Sequence, residues 1–326
     1  MVFLKNYSFV ILNEVKNLIT LFITHSRFFI SLRFIKNDIP NGLNKQNKKI
    51  IMLPIESNTY KPLKFFFLTF LITWVSWFLS AYFSYHENGE SVYIILMIPG
   101  LIAPFVIAFW MIISSKNIDL KKEFRNRLFN LRLIRLSSIP TIIFIMPFAV
   151  IVSILISTLF GQSIDQLQLA DKFSFSAGFL PVLLVLFLAA SFEELGWRSY
   201  AMDSLNIKRN YFSATFIFAI LWTLWHFPLF FIKNYYHNEL INTNIVFAIN
   251  FMVSIIPMAF IISWICKKNS GSIMAAILFH FIINLSQEAL MITQITKCIE
   301  TVVLIIIAGV IVSLNKNMFF DKPLKM

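Results

Sequence analysis

From Lys64 onward the chain alternates long apolar runs with short polar stretches, and the runs fall at 65–85, 92–115, 139–160, 177–202, 212–232, 244–266, 272–292 and 302–314. Most reach the roughly 20 residues needed to cross a hydrocarbon core, although the last is short. The pattern predicts an all-α polytopic membrane protein with about eight transmembrane helices. Pro99, Pro104, Pro140, Pro147, Pro181, Pro228 and Pro257 fall within the runs. Membrane helices tolerate such prolines where neighbours re-satisfy the freed carbonyls. No internal repeat is visible.

Residues 1–60 do not share the pattern. Their apolar stretches are cut by His25, Arg27, Arg33 and Lys36, so none makes a complete span. They are expected to be a basic extension outside the core, either an interfacial arm or the product of a misplaced start, with Met52 as the alternative beginning. The transmembrane domain is expected over 61–315, followed by a short tail at 316–326.

The loops set an expected orientation. Basic residues concentrate at Lys61 and Lys64, between Lys116 and Arg135, at Lys208 and Arg209, at Lys267 and Lys268, and after Lys316. The alternate loops hold only Lys172, Lys233 and Lys297. The excess of Lys and Arg marks cytoplasmic segments and places both termini there, with a bacterial inner (plasma) membrane as the expected home. The stretch 119–135 mixes leucines with basic residues and reads as an amphipathic helix on the inner leaflet.

Composition agrees with this class. The chain is 58% hydrophobic and only 13% charged, and its net charge of +12 is confined to short loops rather than a nucleic-acid-binding stripe. The lipid bilayer is therefore the expected partner, and nucleic acid is not. The cysteines, Cys266 and Cys298, fall on opposite sides of the predicted topology, so neither a disulfide nor a cysteine metal site is implied.

Three polar elements interrupt the apolar runs. Glu193 and Glu194 end the fourth run, with Arg198 four residues after Glu194. A carboxylate at membrane depth is costly and marks a functional site by default. Residues four apart share a helical face, so Arg198 is the partner of Glu194, whereas Glu193 points about 100° away and lacks that partner. In the fifth run Trp222 and His226 are four apart, and in the seventh His280 and Asn284 are four apart. At about 1.5 Å per residue, Glu193, His226 and His280 lie roughly 15, 20 and 12 Å from the cytoplasmic end. A single cavity between the fourth, fifth and seventh spans, opening toward the cytoplasmic half, is thus possible. Trp222 and Trp225 read as packing residues, Asn250 as an interhelical hydrogen-bonding group, and Glu288 as a solvated carboxylate near the outer interface.

The order Glu-Glu-x-x-x-Arg, aromatic-x-x-x-His, His-x-x-x-Asn, each element in its own span, resembles the CAAX prenyl endopeptidase and bacteriocin-processing (CPBP, or Abi) family. The resemblance covers about 63–314 and is strongest over 177–284. Trp222 stands where that family commonly has Phe, a departure that bears on pocket shape. The resemblance implies an intramembrane endopeptidase in which Glu193 and His226 activate water, and His280 and Asn284 donate to the oxyanion. Glu194, Arg198 and Trp222 would support the site. The substrate is expected to be a peptide or membrane-anchored protein, and no cofactor is expected. Two rival readings stay open: a zinc protease with Glu193, His226 and His280 as ligands, and a non-catalytic scaffold or bacteriocin-immunity protein. A transporter would call for interrupted half-helices, which the runs do not show.

Overall fold

The computed structural model describes residues 60–87, 89–170 and 181–321. The expected extension over 1–60 and the end of the tail lie outside the described residues, apart from Tyr60 and the first part of the tail.

The chain is a bundle of helices: α1 (Pro62–Ser84), α2 (Glu90–Ser114), α3 (Ile118–Phe129), α4 (Ile139–Thr158), α5 (Val182–Gly196), α6 (Met202–Asn206), α7 (Tyr211–Trp225), α8 (Tyr236–Thr243), α9 (Ile245–Lys268), α10 (Ile273–Glu288), α11 (Gln294–Leu314) and α12 (Lys316–Phe320). Among the described residues there is no strand, and the β-type pairing present is an isolated bridge between Leu169 and Leu290. Among the described residues six helices are long and apolar enough to cross a membrane. The helices in the fourth and seventh runs, α5 and α10, have 15 and 16 residues. All eight runs therefore become helix, but not all are span-length helices.

The polar residues of α1 show how the bundle is held. Thr69, Thr73, Ser76 and Ser80 are buried along one face, while Phe67, Leu71, Val75 and Phe78 are exposed. That is the polarity expected where lipid replaces water outside and interhelical hydrogen bonds act inside. The stripe faces α2. Thr73 Oγ1 donates to the Gly100 carbonyl at 3.0 Å, Ser80 Oγ to Tyr93 at 2.8 Å, and Ser76 Oγ to Leu96. Gly100 is four residues before Pro104, which has no N–H to offer it, so Thr73 restores the bond that proline removes.

Proline also decides where some runs stop being α-helix. Pro99, Pro104, Pro147 and Pro257 are inside helices. Pro228 ends α7 instead: the chain continues as a 3-10 turn over Phe227–Phe231, so the fifth run is not one α-helix. The eighth run is longer than expected. Thr293 caps α11 by accepting from Thr296 N, and the helix begins at Gln294 rather than Val302.

One end of the bundle gathers the start of α1, α3, the α6–α7 turn, the α9–α10 turn and α12. Lys61 N donates to Tyr200 Oη at 2.8 Å, Arg135 N to Asn269 Oδ1 at 2.9 Å, and Phe319 packs on Tyr211 at 5.8 Å. This end carries the basic loops. At the opposite end Lys233 N donates to Ser84 Oγ and Thr293 N to Gln166 Oε1, each at 2.9 Å. The leucine and arginine stripe of α3 turns into the protein: Leu120 and Arg127 are buried. Carbonyls left open by neighbouring turns draw Arg127 inward. It donates to Gly271 O at 2.7 Å and Arg198 O at 2.8 Å, and pairs with Asp203.

Candidate active site

The Glu-Glu pair sits where α5 leaves regular geometry. Residues Trp197–Ala201 form a π turn, in which Met202 N–H reaches back to the Trp197 carbonyl. Such single wide turns inside α-helices are frequent at functional sites. The turn is fixed from both sides. Arg127 caps the Arg198 carbonyl, and Gly196 packs directly on Pro104, where an added Cβ would lie 2.4 Å from the Pro104 carbonyl carbon. Only glycine permits that approach of α5 to α2.

The neighbouring carboxylates then take different partners. Glu194 is fully buried and receives Arg198 Nε at 2.6 Å and His280 Nδ1 at 2.9 Å. Arg198 also donates to Ser263 Oγ at 2.9 Å, and its guanidinium lies 4.7 Å over the Phe218 ring. Glu193, one residue earlier and about 100° around the helix, instead receives the indole N–H of Trp222 at 2.8 Å. The expected ion pair is present, and it also holds a histidine.

His226 lies just past α7, at the step into the 3-10 turn. Its Nδ1 is 2.8 Å from the Trp222 carbonyl. A carbonyl only accepts, so this contact places the proton on Nδ1 and leaves Nε2 as an acceptor. Asn284 Nδ2 makes a long contact of 3.4 Å with Leu186 O, which leaves amide capacity for the space beside it. Trp225 is not packing alone. Its indole donates to Thr73 Oγ1 at 2.9 Å and so joins the hydroxyl that serves Gly100.

Glu193, Trp222, His226, His280 and Asn284 all line one cavity of about 510 Å³. That is within the usual range for a ligand site. Residues of the fourth, fifth and seventh runs line it together with residues of α1, α2, α8, α9 and α11. Glu194 and Arg198 stand behind it. The cavity does not open toward the basic loops. The end beside the Glu-Glu pair is closed by Glu193, Trp222, Trp225 and His280, all buried, whereas the exposed lining residues are Asn234 at the opposite end and Ile94 and Ile98 on α2, at 50% and 53% exposure. Depth counted along single helices fixes how far in a residue lies, not which way the space around it opens. Among the described residues no group of three or more His, Cys, Asp or Glu is placed to hold a metal ion, the set Glu193, His226 and His280 included.

Residues 175–286 match the family model described as type II CAAX prenyl endopeptidase Rce1-like. A protein of Methanococcus maripaludis named CAAX prenyl protease 2 is 51% identical over 268 residues, which span 82% of this chain and 99% of that protein. The chain belongs to the Rce1-like CAAX prenyl endopeptidase family. As a member of this Rce1-like family it is a membrane-embedded endopeptidase, and the reading as a scaffold or immunity protein gives way.

The Rce1-like cavity holds residues that sequence reasoning missed. His237 on α8 is buried and lines the wall, its ring 6.1 Å from that of His226 at an interplanar angle of 15°. It occurs in a polar stretch between two runs, with no spacing to mark it. Glu288 is 9% exposed and lines the cavity rather than standing in solvent. The early start of α11 explains this. It brings Glu300 to accept from Gln287 Nε2 at 2.5 Å, and Lys297 to donate to Tyr236 Oη at 3.1 Å, so this end of the Rce1-like site is walled by protein.

Proposed function

We propose that Glu193 and His226 activate a water for attack on a peptide bond near the C-terminus of a prenylated, membrane-anchored protein ending in a Cys-aliphatic-aliphatic-X sequence. His280 and Asn284 are the donors to the oxyanion. The observation that carries this reading is the shared wall: a carboxylate, an imidazole acceptor, a second imidazole and an amide line one cavity, on elements tied by the Trp222–Glu193 and His280–Glu194 hydrogen bonds.

In this mechanism Glu193 takes a proton as the water oxygen bonds to the carbonyl carbon, and His226 Nε2 orients the water. The carbonyl oxygen becomes an anion beside Asn284 and His280. The C–N bond then breaks as the proton passes to the departing nitrogen, leaving a carboxylic acid and an amine. Preorganised donors in a low-dielectric site act on charge that develops only in the transition state. His280 Nδ1 is engaged by Glu194, so Nε2 donates to the oxyanion only when the Glu194–His280 pair holds one more proton than a neutral imidazole and a carboxylate. Arg198 balances the pair when that proton is absent.

No step is routed through a metal. Elemental analysis of active protein and a chelator titration test this, and zinc that leaves with activity and restores it on return would hand the site to the rival mechanism.

The orientation follows the basic loops, with both termini in the cytoplasm. The exposed Ile94 and Ile98 then make the side of the cavity an entrance from the lipid for an anchored segment. Membrane-impermeant labelling of single cysteines at Asn234 and Lys121 tests this orientation.

The deciding experiment is hydrolysis of a farnesylated fluorogenic CAAX peptide by the full chain. Glu193→Gln keeps the volume but cannot take the proton, so cleavage is expected at background, and Asn284→Ala is expected to slow it by roughly 10²- to 10³-fold. Cleavage by Glu193→Gln at the unaltered rate rules this mechanism out.

A further inference from the structure

Asn250 shares a face of α9 with Phe247, Phe251, Ser254, Ile255 and Met258, all lining the cavity, while Ile245, Val246, Ile249 and Val253 are exposed on the other side. Spacings of three and four residues make the lining set one helical stripe. Asn250 does not form the interhelical hydrogen bond expected of it. Among the described residues its amide has no partner, and the residue is half-buried rather than enclosed. In His237 and Thr69 the unpaired side-chain atoms are shut away from any probe, whereas Oδ1 and Nδ2 of Asn250 are unpaired and reachable. An amide without a partner in a membrane span is costly, and one that opens into a cavity is available to what fills it.

The level of Asn250 in the bundle is fixed by a neighbouring bond. Thr223 Oγ1 on α7 donates to the Met252 carbonyl on α9 at 3.2 Å, and the two helices run in opposite directions. His226 is three residues beyond Thr223 and Asn250 two before Met252, both away from the basic loops. At about 1.5 Å per residue their levels agree to within about 2 Å. The next residue, Phe251, packs its ring 5.6 Å from that of His226, which places this turn of α9 beside the histidine independently. Resting on the proposed reading of the cavity as the peptide-cleaving site, we infer that Asn250 binds the main chain of the substrate flanking the scissile bond. The side chains of a Cys-aliphatic-aliphatic segment give an amide nothing to bond, so the groups it can pair with are peptide N–H and C=O. A primary amide supplies an acceptor and two donors for them.

The test uses the full chain in detergent with farnesylated fluorogenic CAAX peptides, one all-amide and others in which each peptide group flanking the scissile bond is replaced in turn by an ester. An ester has no N–H and a weaker acceptor carbonyl. Asn250→Ala and Asn250→Leu, the second keeping the volume, are each expected to raise the KM of the all-amide peptide roughly 3- to 10-fold with kcat within about threefold. At one ester position the wild type is expected to lose a similar factor and the variants nothing further, because both changes remove the same bond. The thermal midpoint is expected to hold in at least one variant, since no contact within the protein is lost. An unchanged KM in either folded variant, a loss confined to kcat, losses that multiply at every ester position, or a lowered midpoint in both variants overturns the assignment. Should one variant fail to fold, the KM and ester comparison on the other decides. Glu193→Gln assayed in parallel separates the two levels, since retained cleavage there removes the reading of the cavity itself, whatever Asn250 does.

Discussion

Removing Glu194 should damage the protein in a way that removing Glu193 does not. Glu194 and Arg198 have side chains 0% and 1% exposed and meet at 2.6 Å, and the second carboxylate oxygen holds His280 at 2.9 Å. In Glu194→Ala the guanidinium keeps Ser263 and the Phe218 face but loses its counter-charge, while His280 loses the group that fixes its ring. Breaking a buried pair from one side typically costs about 3 to 5 kcal/mol. At about 2 to 4 °C per kcal/mol, the thermal midpoint in detergent should fall by roughly 6 to 20 °C. Arg198→Met should cost a comparable amount. The double variant removes both charges and leaves no buried ion uncompensated, so its loss should be clearly smaller than the sum of the two, by about 0.5 to 3 kcal/mol. The double variant still lacks the partner of His280 and should stay inactive even where stability returns. A Glu194→Ala midpoint within a degree or two of the wild type, or strictly additive losses, would refute the reasoning.

Trp222→Phe removes the N–H that Glu193 accepts at 2.8 Å. A hydrogen bond to a charged group contributes about 1.5 to 3 kcal/mol, so kcat/KM should fall by roughly tenfold or more and the midpoint by roughly 3 to 12 °C, and equal activity would sink the idea. Gly196→Ala places a methyl 2.4 to 2.6 Å from Pro104, and the overpacking should cost about 1 to 3 kcal/mol, read as a lower midpoint. Arg127→Lys keeps the charge but not the fork that serves Gly271, Arg198 and Asp203 together. It should lower both the midpoint and kcat, and a wild-type melt would show that the clamp on the π turn is unimportant.

What the sequence revealed of this site was whatever lies within one helix. Glu194 with Arg198, Trp222 with His226, and His280 with Asn284 are each four apart, and a face shared along a single helix needs no knowledge of the neighbours. The apolar runs marked the helices for the same reason. Contacts between helices were not legible. The Glu194–His280 bond joins residues far apart in the chain, and nothing local to either one signals the other. The π turn left no mark in the hydropathy pattern. Lys297 and Glu300 hid the true start of α11, because charges read as loop until their partners are seen. His237 was missed since its place in the cavity wall depends on what surrounds it, not on its spacing. The identity of Trp222 was read as a matter of shape, and its indole N–H proved to reach Glu193.

The adjacency of Glu193 and Glu194 has a mechanical consequence. One bonds to Trp222 on α7 and the other to His280 on α10, so a single peptide link pins three separate helices to one another at this end of the cavity. A hinge that parted α7 from α10 there would have to break a hydrogen bond made by a buried carboxylate. The reacting end therefore behaves as a rigid anvil. Compliance is left to the border at Ile94, Ile98 and Asn234, where no charged cross-link is seen among the described residues, in contrast to the neighbouring Glu300–Gln287 and Lys297–Tyr236 bonds. Temperature or membrane thickness should accordingly tune how readily substrate enters, and leave the geometry of the chemical step alone.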